Sequence, residues 1–355
     1  MFRRLLAAAI ILFVAAALLV AGWPQLFGLQ RADLVAQAVS LRGAAIAGAA
    51  AVVVFLLLLA LVVRPFRALG ASLAVLVTAF ILVSAVVLAS RGFGPGDSIA
   101  AEGRSADAVT VVAWNTLGPA TEPAEVADLA LETAADVVVL PETREEDAVA
   151  AAVLLREAGR PMWVLTAAYD TISPARSTSM LVSVELGEYS FDATERTTSV
   201  LPTVVATPVS GEGPTLIAVH AVAPTTKQMD NWRSDLSLLA ELCTGDDVIM
   251  AGDFNATIDH FSGLGSLDST TRETDRLSSS ARLGECTDAA ATAGAGAVGT
   301  WPTAIPALLG APIDHVLATD EWRVTGFRVL DDRDTTGSDH RPVVAVLESA
   351  LEPSE

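Results

Sequence analysis

Eight residues able to bind a cation, move a proton or grip a phosphate stand at the ends of short apolar runs. Asn115 follows VVAW, Glu142 follows VVVLP and His220 follows LIAV. Asp253 and Asn255 lie in GDFN after VIMA, Asp314 opens the run in PIDHVLA, and Asp339 and His340 in GSDH precede RPVVAVL. The chain has only four histidines, so one set against a carboxylate at a strand's mouth asks for a reason. Packing alone would accept Ser, Gly or Asn at such places. Metal-assisted phosphoester cleavage needs the types found. A hard divalent cation takes oxygen ligands, commonly one or two carboxylates with waters retained. Glu142 and Asp339, with Asn115 nearby, would supply them, and the cation would offset charge on the phosphoryl oxygens. A base must then take a proton from water, and Asp253 or His340 would serve. Asn255 can donate a hydrogen bond to phosphate, while Asp314 would orient His340 and favour its protonated form. Taken singly, each has an ordinary reading, as a helix-terminal charge or a turn residue. The ordered set is far more specific than any member.

The elements that must position these residues are short. Apolar alternation predicts strands at 109–114, 137–140, 162–165, 179–184, 204–207, 215–219, 248–251, 313–317, 324–330 and 343–347. Helical spacing predicts helices at 123–134, 145–158 and 228–242. Ten strands with few helices imply two packed sheets with helices outside, in one domain of about 250 residues. Strand ends at one edge of such sheets share a rim, where the polar residues would meet. Residues 288–299, rich in Ala and Gly, read as a loop or weak helix, and 266–282 carry no assignable element.

Ahead of this domain lie three apolar runs, Leu5–Gly22, Ala44–Val63 and Leu69–Ala89. Each is long enough to cross the ~30 Å hydrocarbon core as a helix. Arg3 and Arg4 precede the first run, and Arg64 and Arg67 fill the short link between the second and third, which puts those ends on the cytoplasmic side. The rest of the chain is then outside. If the first run is instead a cleaved signal peptide, two spans give the same result. Residues 1–90 thus read as a multi-pass membrane region of a cell-membrane protein, 91–107 as a flexible linker, and 108–349 as an extracytoplasmic domain.

Charge narrows the partners. Seven of the 22 basic residues and one of the 42 acidic ones precede Asp97, which leaves 15 against 41 beyond it and a net charge near −26. Such a surface repels polyanions within about a Debye length, ~8 Å at physiological salt, so tight binding of duplex DNA is not expected. Cys243 and Cys286, both in the exported part, would close a loop of about 42 residues, worth ~4 kcal/mol in the chain-entropy account; an oxidising exterior favours that bridge over two separate thiols.

The blocks AWNTLG, LPETR, VHAVAP, AGDFNAT, IDHVL and GSDHRPV, in that order between Val109 and Leu347, resemble the endonuclease/exonuclease/phosphatase superfamily. TWP at 300–302 resembles a further block. The resemblance implies a four-layer α/β/β/α sandwich, here preceded by an N-terminal three-helix transmembrane region, and a phosphoesterase dependent on Mg²⁺ or Mn²⁺. By motif position Glu142 resembles the principal metal ligand, with Asn115 and Asp339 completing its surroundings. Asp253 and Asn255 match the pair that positions water and phosphate. His340 matches the essential histidine with Asp314 its partner, and His220 a second histidine acting as general acid. Leu117 departs from the pattern: abasic-site enzymes carry an Asp there, which puts that activity and a second metal in doubt. His260 and His315 lie beside the blocks and read as structural, and Arg144 as a phosphate contact or a helix cap. The implied substrates are nucleotides, nucleic acid or phospholipid head groups. The alternative is a silent family member acting as an envelope binding module; the complete polar set argues against it. A transport role finds no intramembrane charge to support it.

Overall fold

The computed structural model describes residues 1–94, 99, 104–105, 107–170, 172–194, 196–245, 247–266 and 281–350. All ten expected strands form. The first sheet has six: β1 (Val109–Ala113), β2 (Val137–Pro141), β3 (Met162–Ala168), β4 (Ser177–Ser183), β12 (Trp322–Val329) and β13 (Val343–Ser349), in the order β12-β13-β1-β2-β4-β3. The second has seven: β5 (Tyr189–Phe191), β6 (Val204–Pro208), β7 (Thr215–His220), β8 (Val248–Asp253), β9 (Arg282–Leu283), β10 (Cys286–Asp288) and β11 (Asp314–Ala318), in the order β5-β6-β7-β8-β11-β10-β9. Both are mixed: β1 runs parallel to β2 and β7 to β8, while the other pairings are antiparallel. Strands β5, β9 and β10 are additions to the sequence reading. At two or three residues they are too short to show alternation.

The layers follow from the period of two along each strand. In β1, Val109, Val111 and Ala113 face the second sheet, and Val112 faces outward. In β8, Ile249 and Ala251 face the first sheet, while Val248 and Met250 face outward. Both faces are buried, so the central strands read as unbroken apolar runs. Helices α5 (Pro123–Thr133) and α6 (Glu145–Glu157) cover the first sheet through Val126, Leu129, Ala151 and Leu155. Helix α7 (Met229–Leu242) covers the second with Trp232, Leu236 and Leu239, a three-to-four-residue stripe. The result is the α/β/β/α sandwich. Residues 266–282, without an assignable element in the sequence, fall mostly outside the described residues, and 288–299 begins with the four-residue helix α9 (Ala289–Thr292), capped by the Asp288 carboxylate on Ala291 N at 2.7 Å.

Cys243, just past α7, is bridged to Cys286 in β10, with both residues buried and their Cα atoms 5.8 Å apart. Replacing both by serine should lower the unfolding free energy by about 4 kcal/mol. Guanidinium titration of the oxidised protein against the double variant checks it; equal midpoints would reject it.

Before the sandwich, α1 (Phe2–Gly22), α3 (Arg42–Val62) and α4 (Arg67–Arg91) are long and apolar enough to cross a membrane. Their outer surfaces leave Leu12, Phe13, Phe55, Leu58, Leu61 and Val86 exposed, as lipid-facing helices do. They meet around Leu56, Ala74 and Val77, where small residues such as Gly70 and Ala74 on α4 are buried. A short helix between the first two, α2 (Val35–Ser40), was not expected. About half of the segment read as a flexible linker lies outside the described residues. Its start is held: Gly296 N and Ala297 N donate to the Arg91 and Gly92 carbonyls at 2.9 and 3.0 Å, and Gly94 N donates to Gly294 O at 3.2 Å.

Candidate active site

Register places half of the site. His220, Asp253 and Asp314 are direct partners on the neighbouring strands β7, β8 and β11: His220 is opposite Asp253, and Asp253 opposite Asp314. Gly252 makes the approach possible, since a Cβ there would stand 2.1 Å from Val219 O on β7, and its φ is 137°. Asn255 then folds back in a left-handed conformation, φ 46°. Its backbone N–H donates to Asp253 Oδ1 at 2.8 Å and its side-chain amide to Asp253 Oδ2 at 3.1 Å.

The first sheet supplies the rest. Asn115 follows β1, and Glu142 follows β2 with φ 58°. Ser338, Asp339 and His340 come in just before β13. Here a turn glycine is again required, because a Cβ on Gly337 would lie 1.8 Å from Ala120 O. Ser338 Oγ donates to Asn115 O at 2.6 Å and accepts from His340 N at 3.0 Å, while Trp114 Nε1 donates to His340 O at 3.0 Å. These bonds tie the GSDH turn to the end of β1. Three non-glycine residues at this rim, Leu117, Glu142 and Asn255, have positive φ, a conformation that persists only where surroundings over-determine it.

The two halves join through Asn115. Its Nδ2 donates to Glu142 Oε1 and to Asp253 Oδ2, both at 3.2 Å, and its Oδ1 accepts from Leu117 N at 3.0 Å. Asp253 Oδ2 is 4.0 Å from His340 Nε2, and His340 Nδ1 is 2.8 Å from Asp314 Oδ2. Glu142 and His340 are therefore linked at one site by a chain of three contacts, of 3.2, 3.2 and 4.0 Å. Acidic and imidazole atoms of Asp253, Asp314 and His340 all lie within 4.8 Å of one another.

Burial alone would hold the His340 imidazole down, but the Asp314 charge and hydrogen bond, with Asp253 and Asp339 beyond, raise it to about 10. Burial and the Asp314 charge push the Asp253 carboxyl up, against the pull of His340 and the amides of Asn255 and Asn115. His220 moves the other way, to about 3, through burial and the His340 charge. It is a neutral imidazole at physiological pH, with Nδ1 3.3 Å from Thr178 Oγ1.

A divalent cation fits the donors present. Asp339 Oδ2 accepts from Trp301 Nε1 at 2.8 Å, whereas its Oδ1 is buried without a partner, as is Asp314 Oδ1. A buried carboxylate oxygen lacking a donor is suited to a cation. The TWP block gave Trp301 no role in the sequence; it fixes Asp339.

The other histidines are structural. His315 is buried with Nδ1 2.6 Å from Asp288 Oδ2 and Nε2 2.9 Å from Ala256 O. Both partners are acceptors, so the ring carries both protons. His260 accepts from Thr257 N at Nδ1, 2.7 Å, and so donates from Nε2 to Ala36 O at 3.2 Å. Arg144 bonds Ile172 O at 3.0 Å and Glu146 at 3.3 Å.

The sequence profile of the Endonuclease/Exonuclease/phosphatase family matches residues 112–340. No curated protein matches the chain. Among solved structures, an endonuclease/exonuclease/phosphatase from Beutenbergia cavernae is 19% identical over 70% of this chain and 73% of its own, with a TM-score of 0.48. A second, from Bacteroides vulgatus, is 17% identical over 68% and 99%, TM-score 0.48. TDP2 from C. elegans is 16% identical over 70% and 77%, TM-score 0.48. The profile spans well over half of the chain, from β1 to His340, and takes in every residue of the cleft described above: the chain belongs to the endonuclease/exonuclease/phosphatase family.

Proposed function

We propose that the chain is a membrane-anchored, outward-facing phosphoesterase that depends on a divalent cation, Mg²⁺ or Mn²⁺. Residues 1–90 would anchor it, 91–107 connect, and 108–349 carry out hydrolysis. The observation that carries this reading is His340 held between Asp314 and Asp253, with Asn115 linking that group to Glu142. A binding module without chemistry would not need a buried imidazole flanked by two carboxylates. The buried disulfide supports the outward placement, since such bonds persist in oxidising compartments.

Glu142 and Asp339 would hold the cation, which when bound draws charge off the phosphoryl oxygens. Asn115 donates to Glu142 and Asp253 and keeps the two halves in register. The charge of Asp314 keeps His340 protonated at neutral pH, so His340 serves as a cation toward phosphate. Asp253 is then the group left to take the proton from water, and its raised affinity for a proton suits it to do so near neutrality. Asn255 donates its side-chain amide to Ala221 O at 3.0 Å and to Asp253 Oδ2 at 3.1 Å, so it would position Asp253 rather than grip phosphate as its motif position suggested, and neutral His220 can donate a hydrogen bond but is a weak source of protons. The substrate classes consistent with this are nucleotides, nucleic acid strands and phospholipid head groups; the acidic exterior disfavours long duplex DNA.

Full-length protein in detergent should hydrolyse bis-p-nitrophenyl phosphate with Mg²⁺ or Mn²⁺, and stop when EDTA is added. Hydrolysis at equal rates by wild type and Glu142→Ala would reject the assignment.

A further inference from the structure

The outer ends of all three apolar helices converge on one carboxylate that the cleft does not use. Asp259 lies in α8 (Ile258–Phe261), four residues past Asn255, and is buried. Arg42, the first residue of α3, reaches it with Nε at 2.8 Å and Nη2 at 2.9 Å. Arg91, the last residue of α4, reaches it with Nη2 at 2.7 Å and Nη1 at 3.0 Å. Arg42 Nη1 also donates to Gly22 O, the last residue of α1, at 3.1 Å, and Gln25 Nε2 donates to Asp259 Oδ1 at 2.6 Å. Flanking contacts extend the seam: Arg31 Nη1 donates to the carbonyls of His260 and Ser262 at 2.6 and 2.8 Å, and His260 Nε2 to Ala36 O at 3.2 Å.

The segment so gripped is continuous with the cleft. Between Asp253 and Asp259 the backbone is held at each step: Phe254 N on Ile313 O at 3.0 Å, Asn255 O under Trp232 Nε1 at 3.0 Å, Ala256 O under His315 Nε2 at 2.9 Å, and Thr257 N on His260 Nδ1 at 2.7 Å. Asn255 sits there in a left-handed conformation that a non-glycine residue keeps only when its neighbours fix it. Among the described residues, the far end of that brace belongs to the membrane region.

We propose that Asp259 is a positioning residue: through its contacts with Arg42 and Arg91 the membrane helices hold residues 254–262, and with them Asp253 and Asn255, in the geometry the reaction needs. The anchor is then part of the active site's scaffold, rather than a tether. This rests on the phosphoesterase reading only for its effect on rate. The placement of 254–257 is independent of it.

The test is hydrogen exchange on the full-length protein in detergent, wild type against Asp259→Asn. The amides of Phe254, Asn255 and Thr257 should exchange at least tenfold faster in the variant, while those of β1 and β2 keep their rates. Arg42→Lys, which keeps the charge but loses the two-pronged contact, should speed the same amides by less and covers the case in which Asp259→Asn fails to fold. With bis-p-nitrophenyl phosphate, kcat should fall at least tenfold and KM stay within twofold. Wild-type exchange at 254–257, or acceleration no greater there than in β1 and β2, overturns the proposal whatever the substrate. The oxidised protein compared with Cys243→Ser/Cys286→Ser supplies the pattern of a globally weakened fold. If wild type hydrolyses nothing, the functional reading fails while the exchange result still decides this one.

Discussion

Replacing His340 by alanine should lower kcat for bis-p-nitrophenyl phosphate by about 10²–10⁴-fold, the range for a side chain that exchanges protons or charge with the reacting group. His340 is buried, bonded to Asp314 at 2.8 Å and 4.0 Å from Asp253, so alanine there removes the positive charge that faces both carboxylates. Asp314→Asn is the sharper experiment, because it alters the same charge without emptying the site. Removing the Asp314 charge withdraws what raises His340, so its proton leaves at lower pH. It also withdraws part of what raises Asp253, which then ionises at lower pH. On the proposed mechanism activity needs Asp253 without its proton and His340 with one, and so rises with pH through the first and falls through the second. Both limbs should therefore move to lower pH in Asp314→Asn. A pH–rate profile with an unmoved alkaline limb would remove His340 from the cationic role.

The second large effect is at Glu142. Glu142→Gln preserves shape and the contact with Asn115 Nδ2 at 3.2 Å, yet removes the charge that would attract a divalent ion. The expected result is a loss of at least about 10²-fold in activity at fixed Mn²⁺, comparable to losing one member of a metal-assisted site, together with weaker binding of Mn²⁺ measured directly by calorimetry or electron paramagnetic resonance. Unchanged Mn²⁺ affinity would move the cation elsewhere. The alternative place is the Asp253, Asp314 and His340 cluster, and the two differ in that Asp314→Asn would then weaken Mn²⁺ and Glu142→Gln would not.

How much of this could be read from the sequence depends on where information lies along the chain. The eight polar residues were legible because each interrupts or ends an apolar run, and a strand's alternation carries its end to a defined rim. The three apolar helices were equally plain, as ~20-residue runs cannot be hidden in a soluble core. Strands β5, β9 and β10 were not, since two or three residues carry no period. The seam at Asp259 escaped for a different reason. Arg42 and Arg91 sit at helix ends, where arginines are ordinary, and only the folded chain brings them 217 and 168 residues from home to the same carboxylate. Trp301 was visible as part of a block, but its indole on Asp339 depends on a turn whose path no local pattern dictates. The sense of His260 likewise came only with its partner, the Ala36 carbonyl of α2.

The pairing of β1 with β13 has a consequence for biogenesis. The first strand after the three apolar helices lies beside the last of the sandwich, Val109 opposite Leu347, and the candidate site draws on turns next to both. A growing polypeptide therefore cannot assemble this site until β13 has been delivered and docked. On the outward-facing reading, hydrolytic power stays latent while the chain is inside the cell and switches on only after export is finished, which would spare cytoplasmic phosphoesters without any separate inhibitor.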